Sequence, residues 1–89
     1  AFDIKAERAM MNRVTTGKRS HEETWQIKIR NHKDTDVMVF VVEKFYGFWT
    51  LKNADHEYKK KDANTVEFYV AVPKDQEAVL NYTVAYERR

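Results

Sequence analysis

The chain of 89 residues has no cysteine, one proline and only two glycines. Without cysteine there is no disulfide, no thiolate zinc site and no cysteine nucleophile. The glycines, Gly17 and Gly47, stand far apart, so no glycine-rich loop exists to cradle a phosphate. Long apolar runs are also missing. The longest, Val37 to Val42, falls well short of the roughly 20 residues of a membrane-crossing helix, and no membrane insertion is expected. No secretory apolar core lies near the start. A charge excess is lacking too: 16 basic against 14 acidic residues leave a formal net charge of +2. A nucleic-acid binder carries a stronger basic excess gathered on one face, so no nucleic-acid partner is expected. The interleaved charges read as solubility.

What is present describes one folded domain spanning 1–89. The hydrophobic share is 43% and the charged share 34%, enough apolar residues for a modest core. The first residue is Ala1, as expected of a segment excised from the C-terminal part of a larger protein. Polar breaks fall at Thr15–Lys18, Asn31–Asp34, Gly47, Asn53–Asp55, Lys61–Asn64 and Pro73–Asp75. Between them the apolar residues recur with period two. Trp25, Ile27 and Ile29 alternate with Gln26, Lys28 and Arg30; Val66, Phe68, Val70 and Val72 with Glu67, Tyr69 and Ala71; Ala78, Leu80, Tyr82, Val84 and Tyr86 with Val79, Asn81, Thr83 and Ala85. Successive strand side chains point to opposite faces, so each series predicts a strand with one apolar face. Phe2, Ile4 and Ala6 alternate as well. The stretch Ala6 to Met11 also has the composition of a helical turn, but the alternation favours strand. Phe48 to Leu51 and His56 to Lys60 read as shorter strands. Seven short strands in this length predict an all-β fold, an immunoglobulin-like antiparallel β-sandwich of about seven strands, with a small barrel as the alternative.

Four motifs in this order resemble one family. They are Ile29-Arg30-Asn31-His32-Lys33-Asp34; Val41-Val42-Glu43 with Tyr46-Gly47-Phe48-Trp49; His56 and Tyr58 with Asp62-Ala63-Asn64-Thr65; and Tyr82-Thr83-Val84-Ala85-Tyr86. Together they resemble the C-terminal β-sandwich region of the bacterial DUF4139 family, a domain of unknown function, from about Trp25 onward. The resemblance implies an immunoglobulin-like terminal module of a larger bacterial protein at the cell envelope. It brings no catalytic residue with it.

Candidate chemical sites reduce to structural explanations. Asn31–Asp36 holds an imidazole and two carboxylates, but a metal would want more convergent ligands. Asn and Asp hydrogen-bond their own backbone in turns, so a hairpin turn is expected there. His21-Glu22-Glu23 and His56-Glu57 lack the spacing of a helical zinc site; a hydrogen bond pinning a short strand accounts for His56. Ser20, the only serine, has no nucleophile-elbow sequence around it. Lys59-Lys60-Lys61 alternate faces on a strand and fit an edge protected by lysine. Asn81-Tyr82-Thr83 is a formal glycosylation sequon placed mid-strand. Trp25 and Trp49 are expected in the core. No catalytic residue, cofactor or metal ligand is assigned, and the chain is not expected to be an enzyme.

One feature calls for a partner. With Val37, Val39 and Val41 facing the core, Met38, Phe40 and Val42 point away from it. Tyr69, Ala71 and Val79 are also outward on their strands. If these strands are neighbours, they form a contiguous apolar patch of the kind that marks contacts, unless the segment before Trp25 folds back over it. The candidate interaction residues are therefore Met38, Phe40, Val42, Tyr69 and Val79. The expected partner is the remainder of the parent chain or another protein, and the isolated domain is expected to be monomeric. The second reading is a carbohydrate or cell-wall ligand module, which needs Tyr46, Phe48 or Trp49 exposed in a groove.

Overall fold

The computed structural model describes residues 3–88; Phe2, expected to open the first alternation, lies outside the described residues. Seven strands follow one another: β1 (Ile4–Gly17), β2 (Ser20–Asn31), β3 (Val37–Lys44), β4 (Phe48–Ala54), β5 (Glu57–Asp62), β6 (Thr65–Val72) and β7 (Glu77–Glu87). They build a four-stranded sheet of order β1-β2-β7-β4 and a three-stranded sheet of order β3-β6-β5, with antiparallel pairing throughout. The expected antiparallel sandwich of seven strands is the observed fold. Its four-plus-three division is that of a constant-type immunoglobulin sandwich. Within that division β5 and β7 occupy each other's places: β7, not β5, lies between β2 and β4.

The inward faces follow the period-two pattern. Ile27 and Ile29 of β2 and Leu80, Tyr82 and Val84 of β7 are buried against Val66, Phe68, Val70 and Val72 of β6, with Phe45 at the end of β3. The two sheets meet at a ring stack, Phe68 on Tyr82, with centroids 5.1 Å apart and planes at 21°. Phe45 meets Tyr82 edge-on, and Tyr58 flanks Phe68. Trp25 and Trp49, expected in the core, sit instead half-buried, packed against it. The Trp25 indole N–H donates to Glu23 and that of Trp49 to the Ala63 carbonyl.

The segment from Asn31 to Asp36 is not the hairpin the sequence suggests. It carries the chain from the larger sheet to the smaller, because β2 pairs with β1 and β7 while β3 pairs with β6. Its expected turn chemistry is present: Asn31 Oδ1 accepts from the Lys33 N–H at 2.8 Å. Asn31 itself is buried, and its amide donates to the carbonyls of Thr35, Val72 and Pro73 at 2.8, 3.1 and 3.3 Å. One side chain thus ties the β2–β3 crossing to the β6–β7 turn. At another crossing, between β4 and β5, Asp55 does the same work. Its carboxylate accepts from the backbone and side-chain N–H of Asn81 on β7, both at 2.9 Å, and from His56 Nδ1 at 2.7 Å. His56 thus bonds to its chain neighbour, and it is Asp55 that reaches across to β7. Asn81 also accepts from Gln26, so its amide is committed to the fold.

Asn31→Asp turns a donor into a carboxylate facing three carbonyl oxygens. Stability should fall by about 2–4 kcal/mol, since a buried polar group is left opposed rather than paired. A urea midpoint lowered by about 1 M or more is the expected reading; an unchanged midpoint would contradict the role given to Asn31.

Candidate functional site

The outer faces of the two sheets differ in chemistry. On the larger sheet the outward residues of β2 and β7 pair as polar partners across the ladder: Thr24 with Thr83 at 3.1 Å, Gln26 with Asn81 at 3.2 Å and Arg30 with Glu77 at 2.9 Å. On the smaller sheet β3 and β6 run in register without a shift, Met38 opposite Ala71, Phe40 opposite Tyr69 and Val42 opposite Glu67. Met38, Phe40 and Val42 are 54, 60 and 53% exposed. The Phe40 ring meets Tyr69 edge to face at 5.5 Å, a preferred aromatic geometry. The structure therefore brings together four of the five anticipated interaction residues. Val79 stands apart: β7 belongs to the larger sheet, where Val79 faces Lys28. Non-neighbouring strands, not a wrong face, separate it from the patch. The segment before Trp25 does not cover the patch either, because it forms β1 at the edge of the larger sheet.

A second cluster lies where β1 approaches β3. The alternation that sends Val37, Val39 and Val41 inward sends Glu43 inward too, opposite buried Val66. Burial pushes the Glu43 carboxyl above its usual value, while the guanidinium of Arg8, 3.1 Å away, works in the opposite direction. Arg8 itself, half-exposed on β1, lies over the Trp25 ring at 4.4 Å. Burial alone would lower the Arg8 pKa; the Tyr82 oxygen and the Glu43 charge outweigh it and raise it. The buried Tyr82 hydroxyl makes no hydrogen bond of good geometry among the described residues. Burial first, then the charge of Glu43, hold its proton on far above the ordinary phenol range. Burial and then Glu23 push Tyr86 up to about 12. Glu43 was legible as an inward acid from parity alone; its partner depends on the approach of β1 to β3 and was not.

The third place is the far end of the larger sheet. Here the β3–β4 connection, with Gly47 in the left-handed region at φ 76°, brings Tyr46 and Phe48 beside His21, Glu23, Tyr86, Glu87 and Arg88 around an open depression of about 440 Å³. Tyr46 is 71% exposed. His21 stacks on Tyr86 at 5.2 Å and donates to Glu23, whose other oxygen takes the Trp25 N–H. Both oxygens of Glu23 are therefore engaged. Ser20 accepts from Thr16. His32 lines a small depression with Asp75 and Glu77, and Glu77 is engaged by Arg30. Among the described residues no three His, Cys, Asp or Glu side chains converge as metal ligands would. The lysine run lies on β5, an edge strand as anticipated, with Lys60 over the Trp49 ring.

No protein-family model and no curated protein matches the chain.

The Arg8–Glu43 pair predicts a pH-dependent cost. A carboxyl whose folded pKa is raised holds its proton longer in the folded state, so stability falls as pH rises above its ordinary 4.5. Arg8 limits that fall. Arg8→Met keeps packing on Trp25 and removes the charge. Exposure of Arg8 screens the pair, so we expect a loss of about 1–2 kcal/mol at pH 7 and little loss at pH 4, read from urea unfolding. Equal losses at both pH values would contradict the pairing.

Proposed function

We propose that the chain is a non-catalytic β-sandwich module of a larger protein and that its working surface is the outer face of β3 and β6. The partner is protein: the remainder of the parent chain or another protein packed on that face. What carries this reading is the contrast between the two outer faces. The inner strands β2 and β7 of the larger sheet satisfy their outer face with cross-strand polar pairs, and its exposed Val14 and Phe48 stand singly on β1 and β4, while β3 presents Met38, Phe40 and Val42 in one row, each more than half exposed, with Tyr69 beside them. Contiguous apolar surface on a folded domain is the usual mark of a contact. The resemblance to the C-terminal sandwich of the DUF4139 family adds the cell envelope as its place.

A second reading, a carbohydrate or cell-wall ligand module, is favoured by Tyr46 and Phe48. Both are exposed beside a depression that also carries Glu87 and Arg88. An aromatic platform rimmed by polar groups suits a sugar ring.

Amide NMR spectra separate the two. On adding the remainder of the parent protein, shifts are expected at Met38, Phe40, Val42, Tyr69 and Ala71. Phe40→Ser should remove them while changing stability by no more than about 1 kcal/mol, because the side chain is largely solvated. Chitotriose should leave the spectrum unchanged; saturable shifts at Tyr46, Gly47 and Phe48 would overturn the packing reading in favour of the ligand one.

A further inference from the structure

The free edge of β3 differs from the other three sheet edges. Edge strands carry unpaired backbone groups that invite another strand, and proteins usually blunt them with bulges or charges. β1 has register shifts at Met10/Asn12 and Thr15/Gly17, β4 has one at Leu51/Asn53, and β5 has one at Lys60/Asp62 beside its lysines. β3 has no register shift against β6, and Val37 to Val42 carry no charge.

Hydrogen-bonding direction alternates along an antiparallel strand. The Phe45 N–H donates to the Asn64 carbonyl at 2.8 Å, which continues the β3–β6 register. Odd-numbered residues of β3 therefore bond to β6, and Met38, Phe40, Val42 and Lys44 aim their N–H and C=O at the free edge. The sheets are also unequal, four strands over three. Ala6 and Met10 share the inward face of β1 with Arg8, yet remain exposed, and Val37, Val39 and Val41 are only half-buried. One more strand beside β3 would cover both sets.

We infer that β3 accepts an extended segment of a protein partner as a fourth strand of the smaller sheet. The inference rests on the proposed packing function and names the form of its partner. The flanks of the edge set the partner's chemistry. Lys44 at the end of β3 and Asp36 just before its start, where one carboxylate oxygen takes the Lys74 N–H at 2.8 Å, stand on either side of the apolar stretch. An antiparallel segment fits if it begins with an acid opposite Lys44, continues through apolar residues, and ends with a base opposite Asp36. A second copy of the chain is not the occupant. A two-fold pairing of two β3 edges would bring both β1 strands, each reaching over β3 through Arg8 and Glu43, to the same seam.

The test uses the 89-residue chain and a peptide of sequence Asp-Ile-Met-Val-Phe-Val-Ile-Thr-Lys, with binding followed by fluorescence anisotropy. Saturable binding is expected. N-methylation of the peptide's Met and Phe amides, which face β3 in this register, should weaken it about 10-fold or more; N-methylation of its two Val amides on either side of Phe should not. Exchanging the terminal Asp and Lys should weaken it about 3- to 10-fold, the scale of two cross-strand charge pairs. Val42→Pro removes an edge-facing N–H without touching the β6 ladder and should abolish binding with the fold intact by circular dichroism. Binding insensitive to N-methylation would overturn strand addition and leave packing on the face standing. No binding, or concentration-dependent self-association through β3 in sedimentation, would overturn it as well; the face reading is decided separately by the Phe40→Ser spectra.

Discussion

The stack of Phe68 on Tyr82 is the contact on which the sandwich depends. It joins the middle strand of the smaller sheet to an inner strand of the larger, with both rings excluded from water. An aromatic pair of this kind adds about 0.5–1.5 kcal/mol to the burial of its area. It also fixes which strands lie over one another. With β6 beneath β7 and β2, β5 falls beneath β4, where Lys60 meets Trp49, and β3 falls toward β1, where Arg8 meets Glu43. The polar cluster at that side follows from the stack, because the hydroxyl of Tyr82 is carried into the field of Glu43 and Arg8.

The same arrangement leaves the molecule lopsided. Four strands over three give the larger sheet an overhanging strand and the smaller sheet an edge without cover. On the larger sheet β2 and β7 pair polar side chains across their outer face, while on the smaller sheet the outer face is apolar along β3 and charged along β5. Three of the unfinished features meet on one strand: β3 offers its outer face, its backbone edge and half-buried inward valines. A domain that finishes three of its four edges with bulges or lysines and leaves the fourth uncharged concentrates its capacity for contact there.

Much of this was legible in the residues. Period-two alternation gave β2, β6 and β7 with their inward sets, because one buried face forces strict parity, and the polar breaks marked off the remaining strands. The outward direction of Met38, Phe40 and Val42 came from the same parity, and the lysine edge from composition. What parity cannot carry is adjacency. Whether Val79 joins Phe40 depends on β7 pairing with β2, a contact between residues distant in sequence. Asn31 shows the same division: its turn hydrogen bond was expected from residue type, but its burial against Val72 and Pro73 follows only once the β2–β3 crossing meets the β6–β7 turn. Asp55 and Asn81 likewise are ordinary polar residues until the β4–β5 crossing is laid beside β7.

The free, unprotected edge of β3 is the claim from which the interaction reading draws its strength. Amide hydrogen exchange along β3 in the isolated chain tests it most directly. Slow exchange at Val39, Val41 and Glu43 with fast exchange at Met38, Phe40 and Val42 is the predicted pattern, since only the odd-numbered amides bond to β6. Uniform protection along Val37–Lys44 would mean that the edge is already paired, and would contradict the account.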